Sequence, residues 1–158
     1  DAEVIERLHA RRAGNITHAS YVKPILSALR SYQWPELRID CGGAPGVVDA
    51  GPMKLRWVFV FNLPCYAFGL GIAPSAKGDA GQLDLCGFRR GSTWLGLRYL
   101  AGVLSGSHHR LPDCIVQSVT GVRIEADGTV PFQLDGDPGG HLPVEIEIVP
   151  DRLTLLAP

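Results

Sequence analysis

The chain has 158 residues, of which 46% are hydrophobic, and this supports one domain with its own core rather than two. Its 15 basic and 16 acidic residues give a net charge of -1, which argues against a partner held by a general positive field, such as nucleic acid. Nineteen glycines and 12 prolines are typical of short strands and tight turns rather than of a helical bundle.

The four cysteines, Cys41, Cys65, Cys86 and Cys114, contain no Cys-x-x-Cys pair. This spacing predicts reduced, mostly buried thiols rather than a zinc ribbon or a redox site. No apolar run has the length of a membrane span, and no charged-then-apolar signal peptide is expected at the start, so we expect a cytoplasmic protein. The start at Asp1 rather than at methionine means that this expectation says little about the intact protein.

Hydrophobic spacing predicts two helices in the first 30 residues, one over Glu3–Arg12 and one capped by Thr17 or Ser20. Leu37–Asp40 alternates with a period of two and predicts a strand, and a long turn follows at Cys41–Gly46. The turn lacks the Gly-Lys-Ser/Thr sequence of a P-loop, which argues against phosphate binding there.

Leu55–Asn62 is rich in aromatic and β-branched residues and predicts a strand at the centre of a sheet. The loop at Leu63–Ala76 is apolar but interrupted by glycine and proline, so it either lies under the core or lines an apolar cleft. Leu83–Phe88 predicts another strand, and Trp94–Leu104 predicts a helix. His108 and the histidine after it are interpreted as loop residues rather than metal ligands, because adjacent side chains diverge.

Cys114–Glu125 alternates, with a possible break at Val116, Val119 or Gly121, and Ala126–Thr129 predicts a hairpin turn. Val130, Phe132 and Leu134 share one face of a further strand that ends at Asp135, where Asp-Gly is a strong hairpin signal. The last predicted strands are Val144–Ile148 and Leu153–Leu156. Two or three helices and seven or more strands without repeated β-α-β units indicate an α+β fold, mainly an antiparallel two-layer sandwich.

Several short motifs follow one another in a fixed order. They are Asn62-x-x-x-Tyr66-x-x-Gly69-x-x-Ile72-x-Pro74-x-Ala76, Gly81-x-Leu83-Asp84, Gly106-x-His108 and Leu134-Asp135-Gly136-Asp137. In this order they resemble the C-terminal domain of the bacterial diacylglycerol kinase and sphingosine kinase-like lipid kinases, which are related to NAD kinases. The resemblance covers essentially the whole chain and implies a single β-sandwich domain over residues 1–158.

The resemblance implies that Asp135 is the general base that takes the proton of a lipid hydroxyl. A positioned carboxylate is one of the few chemical groups that phosphoryl transfer requires from a protein. The same resemblance places the lipid against the loop after Asn62, at Asn62, Tyr66, Phe68, Gly69 and Leu70. We expect the apolar area of this loop to stay partly accessible if it lines a cleft, through Leu63, Tyr66, Phe68, Leu70 and Ile72.

In that family a separate N-terminal domain binds ATP through a Gly-Gly-Asp-Gly-Thr motif, which this sequence lacks. ATP and Mg²⁺ are therefore expected in the intact enzyme and not on this chain alone. The family's Asp-Asp-Gly or Asn-Asp-Gly, whose second residue binds magnesium in some members, is here Asp79-Ala80-Gly81. No metal site is predicted, and Asp79 would have to reach around from the opposite strand face to supply a ligand.

The leading hypothesis is the substrate-side half of an ATP-dependent lipid kinase, inactive as an isolated chain. The alternative is a non-catalytic lipid-binding or interaction domain, which Ala80 and the missing nucleotide motif favour. A NAD kinase-like domain is a weaker third interpretation. The expected partners are the lipid and the N-terminal domain, and the hypothesis leaves peripheral membrane contact and a homodimer open. An apolar cleft selects by shape, so the acceptor lipid is not identified.

Overall fold

The computed structural model describes residues 32–42, 52–65 and 69–149. Within these residues the chain forms nine strands, one α-helix and a 3₁₀ turn. The strands are β1 (Leu37–Gly42), β2 (Met53–Leu55), β3 (Trp57–Phe61), β4 (Leu83–Phe88), β5 (Cys114–Val119), β6 (Gly121–Ala126), β7 (Pro131–Leu134), β8 (Asp137–His141) and β9 (Val144–Glu147). Helix α1 (Thr93–Leu104) lies between β4 and β5, and the 3₁₀ turn follows it at His108–Arg110.

The strands form two sheets and a separate hairpin, and every pair is antiparallel. One sheet has the order β2-β1-β6-β9, the other has the order β3-β4-β5, and β7 pairs with β8. The predicted α+β class with a mainly antiparallel sandwich is confirmed. No helix of the described residues is long and apolar enough to cross a membrane.

The inner faces of the two sheets share one apolar core, which defines the sandwich. Both sheets contribute to it, through Leu37, Ile39, Leu55, Leu83, Leu85, Val119, Val122, Ile124 and Val130. These residues alternate with outward-facing ones along their strands, as the two-residue period of a strand requires. Alternation in the sequence therefore located most of this core.

Strand β4 is buried along its whole length because it is covered on both faces. Leu83 and Leu85 face the sandwich core, whereas Cys86 and Phe88 face a second cluster beneath α1. A Cβ atom at Gly87 would lie 2.3 Å from a methyl carbon of Leu55. Glycine at this position therefore leaves room for the Leu55 side chain to pack against the strand backbone. The strand is thus the shared wall of two cores, with a sheet on one side and a helix on the other.

The prediction of one central strand over Leu55–Asn62 is wrong. Leu55 ends β2 in the four-stranded sheet, and Trp57 begins β3 in the other sheet. The chain bends between them at Arg56, whose backbone N–H donates to the carbonyl of Phe88 at 2.8 Å and whose guanidinium donates to the carbonyl of Trp34 at 2.6 Å. Among the described strands β3 lies at a sheet edge, and β4 takes the centre.

A second crossing joins β5 to β6, and here the predicted break is confirmed. Val119 and Gly121 belong to different sheets, with Thr120 between them. The hairpin predicted at Ala126–Thr129 is wrong, because β6 pairs with β1 and β9 rather than with β7. Gly128 does make a turn, at φ +91°, but the chain then enters the core at Val130 and leaves the sheet.

The hairpin predicted at Asp135 is confirmed, since β7 and β8 meet there. Strand β8 was not predicted, because Asp-Pro-Gly-Gly-His has little strand propensity. Its backbone pairs with β7, and Gly139 leaves room for the ring of Phe132: a Cβ there would lie 2.4 Å from a ring carbon. Pairing and close approach therefore outweigh local propensity at this position.

The predicted helix over Trp94–Leu104 is confirmed with one more residue at its start. The Ser92 hydroxyl accepts from the N–H of Leu95 at 3.2 Å, which caps the first turn. At the other end Gly106 has φ +65°, and the N–H of Ser107 donates to the carbonyl of Gly102 at 2.8 Å. This is the Schellman ending, and it turns the chain sharply toward His108.

Several predictions fall outside the described residues. These are both helices before residue 31, most of the turn at Cys41–Gly46, and the strand at Leu153–Leu156. All four cysteines are free thiols, as predicted. The prediction that they are mostly buried is wrong, because Cys86 is buried, Cys65 is exposed, and Cys41 and Cys114 are partly covered.

Candidate functional site

The β7–β8 hairpin ends in a tight turn that presents Asp135. Asp135 and Gly136 have φ values of +50° and +94°, the pattern of a type I′ turn. The backbone N–H of Gly136 donates to the side-chain oxygen of Gln133 at 2.6 Å, which fixes the turn. The carboxylate of Asp135 is exposed and forms no hydrogen bond or ion pair with another described residue. Its oxygens are therefore open to an incoming hydrogen-bond donor.

The second candidate region is the segment that leaves β3. Asn62 is exposed directly after the strand, and Leu63 beside it is 57% exposed. Gly69 is exposed with φ +75°, and Leu70 is half-buried. The predicted contacts Tyr66 and Phe68 lie outside the described residues.

Some residues of this loop lie in the core and others lie at the surface. The two predicted roles, packing under the core and lining an apolar cleft, therefore apply to different residues. Ile72 is 5% exposed and belongs to the cluster beneath α1, so the prediction that it lines an accessible cleft is wrong. Ala73 and Ala76 are also buried. Only the first part of the loop, around Leu63, keeps a large apolar side chain accessible among the described residues.

His108 holds this loop from beneath. Its side chain is 1% exposed, and its Nε2 atom lies 2.8 Å from the carbonyl oxygen of Ile72. Because a carbonyl only accepts, Nε2 carries the proton and donates it. Nδ1 is buried and has no hydrogen-bond partner among the described residues. The prediction that His108 lies in a loop after the helix was correct for its backbone, but it did not include the hydrogen bond to Ile72.

Asp84 fixes the same loop at a second point. This residue of β4 is 6% exposed, and its two carboxylate oxygens accept from the hydroxyls of Ser75 at 2.6 Å and Ser118 at 2.8 Å. Ser75 belongs to the loop and Ser118 to β5, so one buried carboxylate ties the loop to the sheet. Hydrogen bonds to an ionised group are among the stronger ones in proteins, which suits a positioning role.

Two motifs in the sequence were a partial signal for these anchors. The motifs Gly106-x-His108 and Gly81-x-Leu83-Asp84 contain the two anchoring side chains. However, His108 bonds to Ile72, which is 36 positions away, and Asp84 accepts from Ser75, which is 9 positions away. A further signal was Gly102, since a Cβ atom there would lie 3.2 Å from the Cα atom of His108. Only the folded chain shows that these separate motifs converge on one loop.

Two buried polar pairs lie near α1. The Tyr99 hydroxyl donates to the carboxylate of Asp113, and burial together with this bond raises the pKa of Tyr99. A hydrogen bond between the thiols of Cys86 and Cys114, with burial, raises the pKa of Cys86, and the same bond lowers the pKa of Cys114. Tyr99 and Cys86 therefore stay protonated as donors near neutral pH, and both pairs stabilise the layer beneath the helix.

The described residues do not form a magnesium site. Asp79 is exposed in a turn, Ala80 follows it, and no group of three His, Cys, Asp or Glu side chains converges in the part of the chain that the structure describes. A magnesium ion needs several oxygen ligands in near-octahedral geometry, which one aspartate does not supply. The described residues therefore do not fit this ion.

The hydrogen bonds and ion pairs of the described residues do not join Asp135 to Asn62 or to Asp79. The predicted site residues thus occupy two separate pieces of structure, a hairpin tip and a loop after β3. What they share is exposure, since Asn62, Gly69, Asp79 and Asp135 all contact solvent.

The chain belongs to the family described as the YegS C-terminal NAD kinase beta sandwich-like domain, which matches residues 1–157. A solved structure of a proposed diacylglycerol kinase from Bacillus anthracis str. Sterne has a TM-score of 0.56 and 20% identity, covering 80% of this chain and 42% of that one. A second structure of a proposed diacylglycerol kinase from the same organism has a TM-score of 0.57 and 19% identity, covering 86% and 46%. No relative was found among the curated proteins.

The family membership and the shared fold confirm the predicted relationship to the C-terminal domain of diacylglycerol kinase-like lipid kinases. At this level of identity the solved structures establish the fold alone. The chain spans less than half the length of each of these two structures. The activity of a whole kinase, its substrates and its partners are therefore matters for proposal.

Proposed function

We propose that the chain is the substrate-side half of an ATP-dependent lipid kinase, with Asp135 as the general base. The observation that carries this proposal is the exposed carboxylate of Asp135, which pairs with no other described residue, at the tip of a tight hairpin in a chain of this family. The names of the structural neighbours support a lipid hydroxyl as the acceptor. ATP and magnesium belong to a nucleotide-binding N-terminal partner domain in this proposal.

In the reaction, the oxygen of the lipid hydroxyl attacks the γ-phosphorus of ATP. The carboxylate of Asp135 accepts the proton that this hydroxyl loses. The new phosphorus–oxygen bond forms, the bond to the ADP oxygen breaks, and ADP leaves. Phosphoryl transfer depends mainly on placement, so the rigid type I′ turn matters as much as the charge. The loop from Asn62 to Leu70, which leads into the segment that His108 and Asp84 hold at Ile72 and Ser75, would contact the lipid.

The test is Asp135→Asn in the intact enzyme, with Asp137→Asn as the matched control on the same hairpin. We expect Asp135→Asn to lower kcat by about two to four orders of magnitude, the usual contribution of a positioned base, with little change in KM for the lipid. Asp137→Asn should lower kcat by less than about tenfold, because its charge is exposed beside the turn but not at its tip. Equal activity of Asp135→Asn and the unmodified enzyme would reduce Asp135 to a turn residue.

A non-catalytic lipid-binding domain is the second candidate, and Ala80 is the observation that favours it, because it removes the carboxylate of a magnesium-binding position in the family. This alternative predicts lipid binding without turnover in the intact protein. A panel of diacylglycerol, a sphingoid base and a simple long-chain alcohol, assayed with labelled ATP, would separate the two functions and identify the acceptor. Peripheral membrane association belongs to both, since each acts on a lipid.

A further inference from the structure

Helix α1 is apolar on the side that faces away from the sheet. Trp94, Leu97 and Leu104 recur at helical spacing and are 81%, 38% and 66% exposed, with Leu100 at the margin at 42%. We call these four residues the outer face of α1. Large side chains on a surface helix are usually polar on the solvent side, so this contiguous patch requires an explanation.

The chain around this face is basic. Residues 85–112 contain four of the chain's 15 basic residues and none of its 16 acidic ones. The four are the exposed Arg89, Arg90, Arg98 and Arg110, and none of them forms an ion pair with another described residue. Elsewhere arginines do pair, as Arg38 does with Asp127 at 3.0 Å. The segment that carries the exposed leucines and tryptophan is thus locally basic, with Arg98 on the helix itself, in a chain whose net charge is -1.

The opposite side of α1 holds the helix firmly in place. Gly96 and Gly102 are buried there, and Tyr99 stacks on Phe88 with ring centroids 4.1 Å apart. The Ser92 cap and the Schellman ending fix both ends of the helix. The outer face is therefore presented by a rigid element and needs no refolding to meet a partner.

We propose that the outer face of α1 docks on an anionic lipid surface. Tryptophan and leucine enter the boundary between headgroups and acyl chains, while the guanidinium groups contact lipid phosphates. Charge complementarity favours this occupant over a second copy of the chain, because two such faces would bring eight unpaired arginines together. The inference goes beyond the proposed function and does not depend on it, since a non-catalytic domain would dock in the same way.

The experiment is sedimentation of the protein with vesicles of phosphatidylcholine alone and with vesicles that contain about a third phosphatidylglycerol. We expect binding to the anionic vesicles only, weakened by salt over the physiological range. Trp94→Ser should lower the partition coefficient about tenfold or more, and Arg98→Gln about fivefold. Because both side chains are exposed, both variants should keep their unfolding midpoint, which circular dichroism would check.

Matched controls lie on other elements. Val116→Ser removes a 40% exposed apolar side chain from β5, and Arg38→Gln removes one positive charge from β1. Each should change partitioning by less than about twofold, since neither adjoins α1 in sequence. Equal binding to both vesicle types, no binding to either, or equal loss in the control variants would each overturn the proposal. A concentration-dependent dimer that Trp94→Ser dissolves would show instead that a second copy covers the face.

Discussion

The loop at residues 69–76 and the β7–β8 hairpin both carry motif residues, but the protein holds them in opposite ways. The loop is fixed by buried bonds from outside itself, at Ile72 and at Ser75. The hairpin is fixed by its own backbone pairing and by the turn at Asp135, and its tip is exposed. One segment therefore depends on the core for its shape, and the other depends on local turn geometry.

This difference separates two kinds of motif residue. His108 and Asp84 are buried and act through the backbone that they position. Asp135 is exposed and forms no hydrogen bond or ion pair with another described residue, so a substrate can reach it. A motif shared by a family therefore does not by itself mark a group that touches substrate, because burial and bonding partners decide which role a residue can have. Substitution of His108 or Asp84 should lower stability, whereas substitution of Asp135 should lower activity.

The largest contrast is expected between two phenylalanines. Phe88 of β4 is 2% exposed and stacks on Tyr99, whereas Phe132 of β7 is half-buried over Gly139. Phe88→Ala should lower the free energy of unfolding by about 3–5 kcal/mol, through lost burial and the cavity that it leaves. Phe132→Ala should cost less than about 2 kcal/mol, since its site is open to solvent on one side.

Urea unfolding of both variants followed by far-UV circular dichroism gives the two free energies. Similar costs for Phe88→Ala and Phe132→Ala would contradict the comparison, because the hairpin would then be as firmly packed as β4. A change in the slope with urea, rather than in the midpoint, would indicate that the denatured state had changed instead.

The adjacent histidines give a sharper test. His108→Ala should cost about 2–3 kcal/mol, because it removes a buried ring and leaves the carbonyl of Ile72 without its donor. His109→Ala, one residue away and exposed, should stay within about 0.5 kcal/mol of the unmodified chain. Limited proteolysis should cut His108→Ala faster within residues 69–76, since opening of this loop becomes easier.

His108→Leu separates the hydrogen bond from the packing. Leucine fills much of the space but donates nothing, so any cost that remains is that of an unpaired carbonyl, about 1–3 kcal/mol. Full recovery of stability in His108→Leu would show that the ring acts by volume alone. The bond to Ile72 would then have no role in holding the loop.

Local patterns predicted the elements of this fold better than their partners. Alternation located β1 and β9, helical spacing located α1, and Asp-Gly located the hairpin at Asp135, because each signal depends on neighbours in sequence. The crossing at Arg56 was missed because strand propensity continues through it, and the bend depends on bonds to Trp34 and Phe88. Such bonds link residues more than 20 positions apart and leave no local pattern.

The candidate site shows the same limit. Asp135 was predicted as a turn residue at the end of a strand, and the structure places it in such a turn, exposed to solvent. The roles of His108 and Asp84 could not be predicted, since a histidine in a loop and an aspartate in a strand have many structural explanations. Their burial and their partners are properties of the tertiary fold, in which three separate segments of sequence meet. The outer face of α1 was missed because helical spacing alone does not show which of two apolar faces is buried.

The smallest effects are expected at the hairpin tip, and there the distinction between structure and chemistry is clearest. Gly136→Ala should cost about 1–2 kcal/mol, because alanine is strained at φ +94° and glycine is not. Asp135→Asn should change the free energy of unfolding by less than about 0.5 kcal/mol, since asparagine tolerates the left-handed conformation as well as aspartate does. Urea titration of both variants measures the difference.

Asp135→Asn is informative because turnover should fall while the free energy of unfolding stays nearly unchanged. The turn, the bond from Gly136 to Gln133 and the pairing of β7 with β8 all use groups that the substitution leaves in place. The carboxylate is lost as a proton acceptor, and an amide does not replace it. A fall in turnover with unchanged stability would therefore assign the effect to proton transfer. A parallel fall in stability would mean that the carboxylate supports the turn, and the comparison between an internally held hairpin and a core-held loop would fail at its central residue.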